Sequence, residues 1–212
     1  PVITRSVRIL QKGDQKIRLE NMMSASVEFP DMDFEMLQLS GAWSRERYVK
    51  TRKLEMGIQA IQSLSGTASS AEQNPFIALK RPHTTEDMGE VYGFSFVYSS
   101  NFLAQVEVTP YEMTRVMMGI NPQGFSWELK KGEEFQTPEV VMVYSDQGLN
   151  GMSQVYHRLY RNHLMRGKWK NRVRPILLNN WEATYFNFTE EKILDIAKKA
   201  KEAGIELFVL DD

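Results

Sequence analysis

Pro175-Ile176-Leu177-Leu178-Asn179-Asn180-Trp181-Glu182-Ala183 is the stretch on which the fold turns. Its apolar run shows no alternation, and an unbroken run of this kind suits a strand covered on both faces, the habit of parallel sheets. Downstream, Thr189 stands as a helix cap, with Glu190 and Glu191 in the positive first turn. Ile193, Leu194, Ile196, Ala197, Ala200 and Ala203 then make a buried face that ends at Gly204. Ile205-Glu206-Leu207-Phe208-Val209-Leu210 reads as a second buried strand. Strand, helix and strand in this order predict a right-handed β-α-β unit with parallel strands.

Upstream of that unit the pattern changes twice. Met152, Val155, Leu159 and Leu164 fall at helical spacing, and Gly167 supplies a stop with Arg161 and Arg166 at the negative end of the dipole, so one amphipathic helix is expected over 150–167. The domain boundary belongs here, with 150–172 as a linker helix. From Pro1 to about Tyr144 the period is two, as in Val7 and Ile9, Ile17 and Leu19, and Phe94, Phe96 and Tyr98. Gly13-Asp14 and Lys131-Gly132-Glu133 lie where hairpins close, and Ser63 to Asn74 reads as an exposed loop. Many short strands and no long helix predict an antiparallel β-sandwich over 1–149.

Composition narrows the function classes. The 26 basic residues balance 27 acidic ones, so no field draws in a polyanion and no nucleic-acid partner is expected. Cysteine is absent, which removes thiolate chemistry and cysteine metal sites and fits a reducing, cytoplasmic setting. His157 and His163 lie on different faces of the expected helix, and neither a metal nor a cofactor is expected. No run of about 18 apolar residues and no signal-peptide layout is present, so no membrane partner is expected. No Gly-x-Gly-x-x-Gly follows a strand, which speaks against a dinucleotide enzyme.

The chemistry collects at one rim. Ligands bind at the carboxyl ends of parallel strands, and there Asn179, Asn180 and Trp181 follow the first strand while Asp211 and Asp212 follow the second. Carboxylates grip vicinal hydroxyls and an indole covers the apolar face of a pyranose, a combination that suits a neutral sugar. Each residue also has a plainer role, since Asp at a strand end forms turns and caps, and Trp there packs under loops. The Asp pair does not suit acid and nucleophile of a retaining glycosidase, whose carboxyls flank the scissile bond about 5 to 5.5 Å apart. Neighbours on one strand cannot do so.

These residues carry a resemblance. Trp181-Glu182-Ala183-Thr184-Tyr185-Phe186-Asn187-Phe188-Thr189-Glu190-Glu191, followed by Gly204-Ile205-Glu206-Leu207-Phe208-Val209-Leu210-Asp211-Asp212, resembles the start of the barrel in family 36 α-galactosidases. Gln38-Leu39-Ser40-Gly41-Ala42-Trp43, Asn74-Pro75-Phe76, Gly89-Glu90-Val91-Tyr92-Gly93-Phe94 and Tyr98-Ser99-Ser100-Asn101-Phe102 resemble that family's β-sandwich. The resemblance implies a mixed fold: an antiparallel β-sandwich (supersandwich), a linker helix, and over 173–212 the first β-α-β of a TIM barrel. It implies a retaining enzyme that removes terminal α-D-galactose from melibiose- and raffinose-type oligosaccharides, its Asp nucleophile and Asp acid/base both downstream of Asp212. By the same resemblance Asp211 and Asp212 hold galactose hydroxyls, Trp181 walls the site, and Trp43 reaches the sugar across a subunit boundary of a homotetramer. No catalytic residue is then expected in this chain. The chain opens without Met and closes straight out of an apolar run, and both ends are expected to be cuts in a longer protein. The alternative is a non-catalytic carbohydrate-binding or assembly β-sandwich module.

Overall fold

Clean alternation in Phe102–Val108 buries Phe102, Ala104, Val106 and Val108 almost completely, and this strand sits at the centre of the core. The computed structural model describes residues 1–66 and 72–211. It divides into two compact units, Pro1–Leu159 and Tyr160–Asp212. The fold is mostly antiparallel β-sheet with a few helices.

In the first unit the described strands are β1 (Val2–Arg5), β2 (Arg8–Leu10), β3 (Ile17–Leu19), β4 (Met23–Phe29), β5 (Glu35–Ala42), β6 (Arg45–Lys53) and β7 (Gly57–Gln62). They continue as β8 (Gln73–Lys80), β9 (Val91–Phe96), β10 (Phe102–Val108), β11 (Thr114–Ile120), β12 (Trp127–Leu129), β13 (Glu134–Gln136) and β14 (Val140–Ser145). A six-stranded sheet runs β1-β14-β9-β8-β5-β6 and a four-stranded sheet runs β4-β11-β10-β7, each neighbour antiparallel. Met36, Ile77, Leu79, Phe94 and Phe96 of the first meet Ala25, Ile61, Phe102, Val106, Val116 and Met118 of the second in one cluster. Period two gives the central strands one inward face, as the sequence pattern predicts, whereas the edge strands β1 and β6 are exposed along their length. Phe29, Phe34 and Tyr92 add edge-on rings with centroids 4.9 to 6.0 Å apart.

Helix α1 (Gly148–Leu159) lies on the face of the larger sheet opposite the core. It buries Met152 and Tyr156, whose hydroxyl donates to the Val141 carbonyl at 3.1 Å. Gly93 makes this packing possible: a Cβ there would stand 2.7 Å from Met152 Sδ and 2.9 Å from the Tyr156 ring.

Several expectations need correction. The expected hairpins of 7–19 and 127–135 do not form. β2 pairs with β13 and β3 with β12, so the two segments run antiparallel as one interrupted ribbon, residues 11–16 bulging opposite 130–133. Gln11 bridges the gap, its N–H donating to the Glu133 carbonyl and its carbonyl accepting from Gly132 N. Alternation tells that a segment is a strand, not which strand it joins. The α-helix also ends at Leu159 rather than near Gly167, because a wider turn with a Met165 N to Tyr160 O bond follows over Tyr160–Leu164. Of the expected loop, Ser63 is buried, Gln73 and Asn74 belong to β8, and 67–71 lie outside the described residues.

In the second unit, β15 (Leu177–Asn179) and β16 (Leu207–Val209) pair in parallel, joined by the short helix α2 (Trp181–Thr184) and by α3 (Glu190–Glu202). Thr189 Oγ1 accepts from Lys192 N at 3.4 Å and Gly204 has a positive φ of 86°, the cap and stop the sequence indicates. The expected two-sided burial is absent: Leu177 is 52% exposed and Leu194 48%. One helix can cover only part of one face of a two-stranded sheet.

Candidate functional site

The site is built at the carboxyl end of the parallel pair. The register sets Leu177 beside Leu207 and Asn179 beside Val209, so Asn179, Asn180 and Asp211 leave the sheet at the same end. Asn179 Nδ2 donates to Asp211 Oδ2 at 3.0 Å, and Asn179 Oδ1 accepts from Trp181 N at 3.2 Å. Asn180 Oδ1 accepts from the Asp211 main-chain N at 2.8 Å. At the opposite end of the pair, Glu206 accepts from Ile176 N at 2.9 Å and takes no part in the rim.

Trp181 begins α2 directly after the strand. Its ring meets Tyr185 at 5.3 Å and Phe186 at 4.9 Å, both edge-on, so two aromatic neighbours hold the indole while its side chain stays part-exposed. Tyr185 adopts a positive φ of 47°, which turns the chain sharply after α2. Its hydroxyl donates to Glu182 Oε2 at 3.1 Å, and this hydrogen bond to a carboxylate raises the phenol above its usual pKa. Sequence reading named Trp181 but not these two rings as its supports. A cue was available for Tyr185, which stands four positions after Trp181.

Asp211 and Trp181 therefore share a rim, with both amides beside them. Asp212 lies outside the described residues. Trp43 belongs to the first unit, at the two-residue loop of the β5–β6 hairpin, where Ala42 pairs with Arg45. It is 85% exposed. Gly41 lets the two strands close there, because a Cβ would lie 2.2 Å from the Arg45 carbonyl oxygen. The chemistry available on the rim is hydrogen-bond acceptance by a carboxylate next to an apolar aromatic surface, which suits hydroxyl-bearing, uncharged ligands.

Two family models and several characterised relatives match this chain. The model of the glycosyl hydrolase family 36 N-terminal domain matches residues 1–130, and the model described as melibiase matches residues 134–212. Alpha-galactosidase AgaA of Geobacillus stearothermophilus is 61% identical over 211 residues, covering 100% of this chain and 29% of that protein. Alpha-galactosidase Mel36A of Lactobacillus acidophilus is 49% identical over 212 residues, again covering 100% of this chain and 29% of its own length. The crystal structure of AgaA superposes with a TM-score of 0.94 at 60% identity, over 100% of this chain and 29% of that one. Variants of AgaA have been crystallised with raffinose and with stachyose. The chain thus spans less than a third of the length of these relatives. Both family matches, which together run through nearly the whole chain, show that it belongs to glycoside hydrolase family 36.

Proposed function

We propose that this chain is the substrate-gripping part of a retaining α-galactosidase that hydrolyses terminal α-D-galactosyl residues of oligosaccharides such as melibiose and raffinose. The observation that carries the reading is the meeting of Asp211, Asn179 and Trp181 at the carboxyl end of the parallel pair. In this reading residues 1–149 form a β-supersandwich, 150–172 a linker helix, and 173–212 the first β-α-β of a (β/α)₈ barrel. Asp211 and Asp212 accept hydrogen bonds from galactose hydroxyls, and Trp181 walls the ring. The complexes of AgaA variants with raffinose and stachyose support this substrate class.

Catalysis needs a nucleophile and an acid on opposite sides of the glycosidic bond, and in this reading both aspartates lie beyond Asp212. Binding groups alone do not stabilise the oxocarbenium-like transition state. In the same proposal Trp43, whose indole is exposed at the tip of a tight hairpin, reaches a sugar held by another subunit of a tetramer, and the location is cytoplasmic. Neither a cofactor nor a metal enters the mechanism.

Nitrophenyl α-galactoside is expected to be hydrolysed by the full-length protein and left intact by this chain alone. Turnover by this chain would require a catalytic pair within it and contradict the proposal. In the full-length protein, Asp211→Ala is expected to lower kcat/KM about a hundredfold, through loss of charge-assisted hydrogen bonds to the sugar. A rival reading, a sugar-binding β-module, draws on a hollow of about 400 Å³ lined by Tyr98, Phe125, Trp127 and Phe135. Tight galactose binding by residues 1–150 alone would favour it.

A further inference from the structure

We propose that Asn179 and Asn180 are positioning residues that set the orientation in which Asp211 meets the sugar; this rests on reading Asp211 as a galactose-holding group. Asn180 is 0% exposed, and a buried amide must find its hydrogen bonds inside the protein. Its two side-chain atoms are spent on different partners. Oδ1 accepts from Asp211 N at 2.8 Å, and Nδ2 donates to Thr184 Oγ1 at 2.9 Å, Thr184 being itself buried. The Asn180 carbonyl also accepts from Ala183 N at 3.0 Å and Thr184 N at 3.1 Å. One residue therefore closes the turn after β15 and grips the chain leaving β16.

That grip falls where it is needed. The ladder between the parallel strands ends at Asn179 and Val209, two residues short of Asp211. Among the described residues beyond that pair no sheet hydrogen bond fixes the main chain, and the Asn180 amide supplies one in its place. Asn179 acts on the side chain instead. Its amide oxygen takes Trp181 N, which leaves the amide nitrogen turned towards Asp211 Oδ2. The Asp211 carboxylate is thereby tied to the main chain of Trp181, so the acceptor and the aromatic wall move as one. A carboxylate offers about four lone-pair sites, so Asp211 keeps acceptor capacity for hydroxyl donors while held by Asn179.

Two measurements test this. In the full-length protein, Asn179→Ala is expected to raise KM for nitrophenyl α-galactoside about tenfold with kcat nearly unchanged, the mark of lost binding rather than lost chemistry. In this chain the same substitution should leave the thermal midpoint unchanged, because Asn179 is exposed here. In this chain, Asn180→Ala is expected to speed hydrogen exchange of the Asp211 amide about tenfold or more, whereas Asn180→Asp, which keeps an acceptor for that N–H, restores the slow rate. Unaltered Asp211 exchange in Asn180→Ala overturns the proposal. So does an unchanged KM in Asn179→Ala when Asp211→Ala raises it. An unchanged KM in Asp211→Ala overturns instead the reading of Asp211 itself.

Discussion

Arg81 shows how one side chain ties both sheets of the first unit. It follows β8 of the larger sheet and reaches Asp31, which follows β4 of the smaller, with Nη1 to Oδ1 at 2.6 Å and Nη2 to Oδ2 at 3.2 Å. Glu90 lies 3.3 Å from Nε, and the guanidinium carbon sits 4.0 Å from the centre of the Phe34 ring. Hydrogen bonding from Arg81 holds the Asp31 carboxyl below its ordinary pKa. Folded Asp31 therefore binds a proton less readily than unfolded Asp31. Its stabilisation is complete above the unfolded value of about 4 and is lost as pH falls through the lower folded value. Urea unfolding should show Arg81→Ala less stable by about 1–2 kcal/mol at neutral pH, a modest figure because both partners are partly exposed. Asp31→Asn should flatten the fall in stability below about pH 4, and an unchanged acid profile would remove Asp31 from the account. Residues of this kind differ in how well the sequence announces them. The position of Trp181 and Asp211 at one end of a parallel pair was readable from the apolar runs that precede them. The burial of Asn180 was not, since asparagine after a strand is ordinarily exposed and its partner lies 31 positions away.

At the scale of elements, local signals were read well and long-range partners poorly. The β15–α3–β16 segment was legible because its apolar runs, the Thr189 cap and the Gly204 stop all act within one turn of where they stand. The ribbon of β2, β3, β12 and β13 was misread because its pairing joins segments more than 100 residues apart, with loops that look like hairpin turns. The end of α1 was placed too late because apolar spacing and basic residues continue past Leu159 while the hydrogen bonding changes. Gly93 links element to packing, for α1 seats on β9 only where that strand has no side chain. Gly93→Ala is expected to cost about 1–3 kcal/mol by crowding Tyr156 and Met152. Trimming Met152 to Ala in the same chain should recover part of this loss, measured as the urea midpoint. No recovery would mean that the strand, not the helix contact, sets the cost.

Taken whole, the molecule offers a large antiparallel body and a smaller parallel unit that carries the candidate site. Both family matches and the likeness to AgaA run through the whole chain, so the body and the site unit belong to one glycoside hydrolase lineage. Under the proposed function the rim holds the sugar and bond cleavage falls to carboxylates outside this chain. The proposed function stands or falls with where galactose binds. Galactose is titrated into this chain while backbone amide resonances are followed. Shifts are expected to centre on Asn179, Trp181 and Asp211 and to be abolished by Asp211→Ala. Shifts confined to Phe125, Trp127 and Phe135, or shifts at the rim that survive Asp211→Ala, would contradict the proposed function.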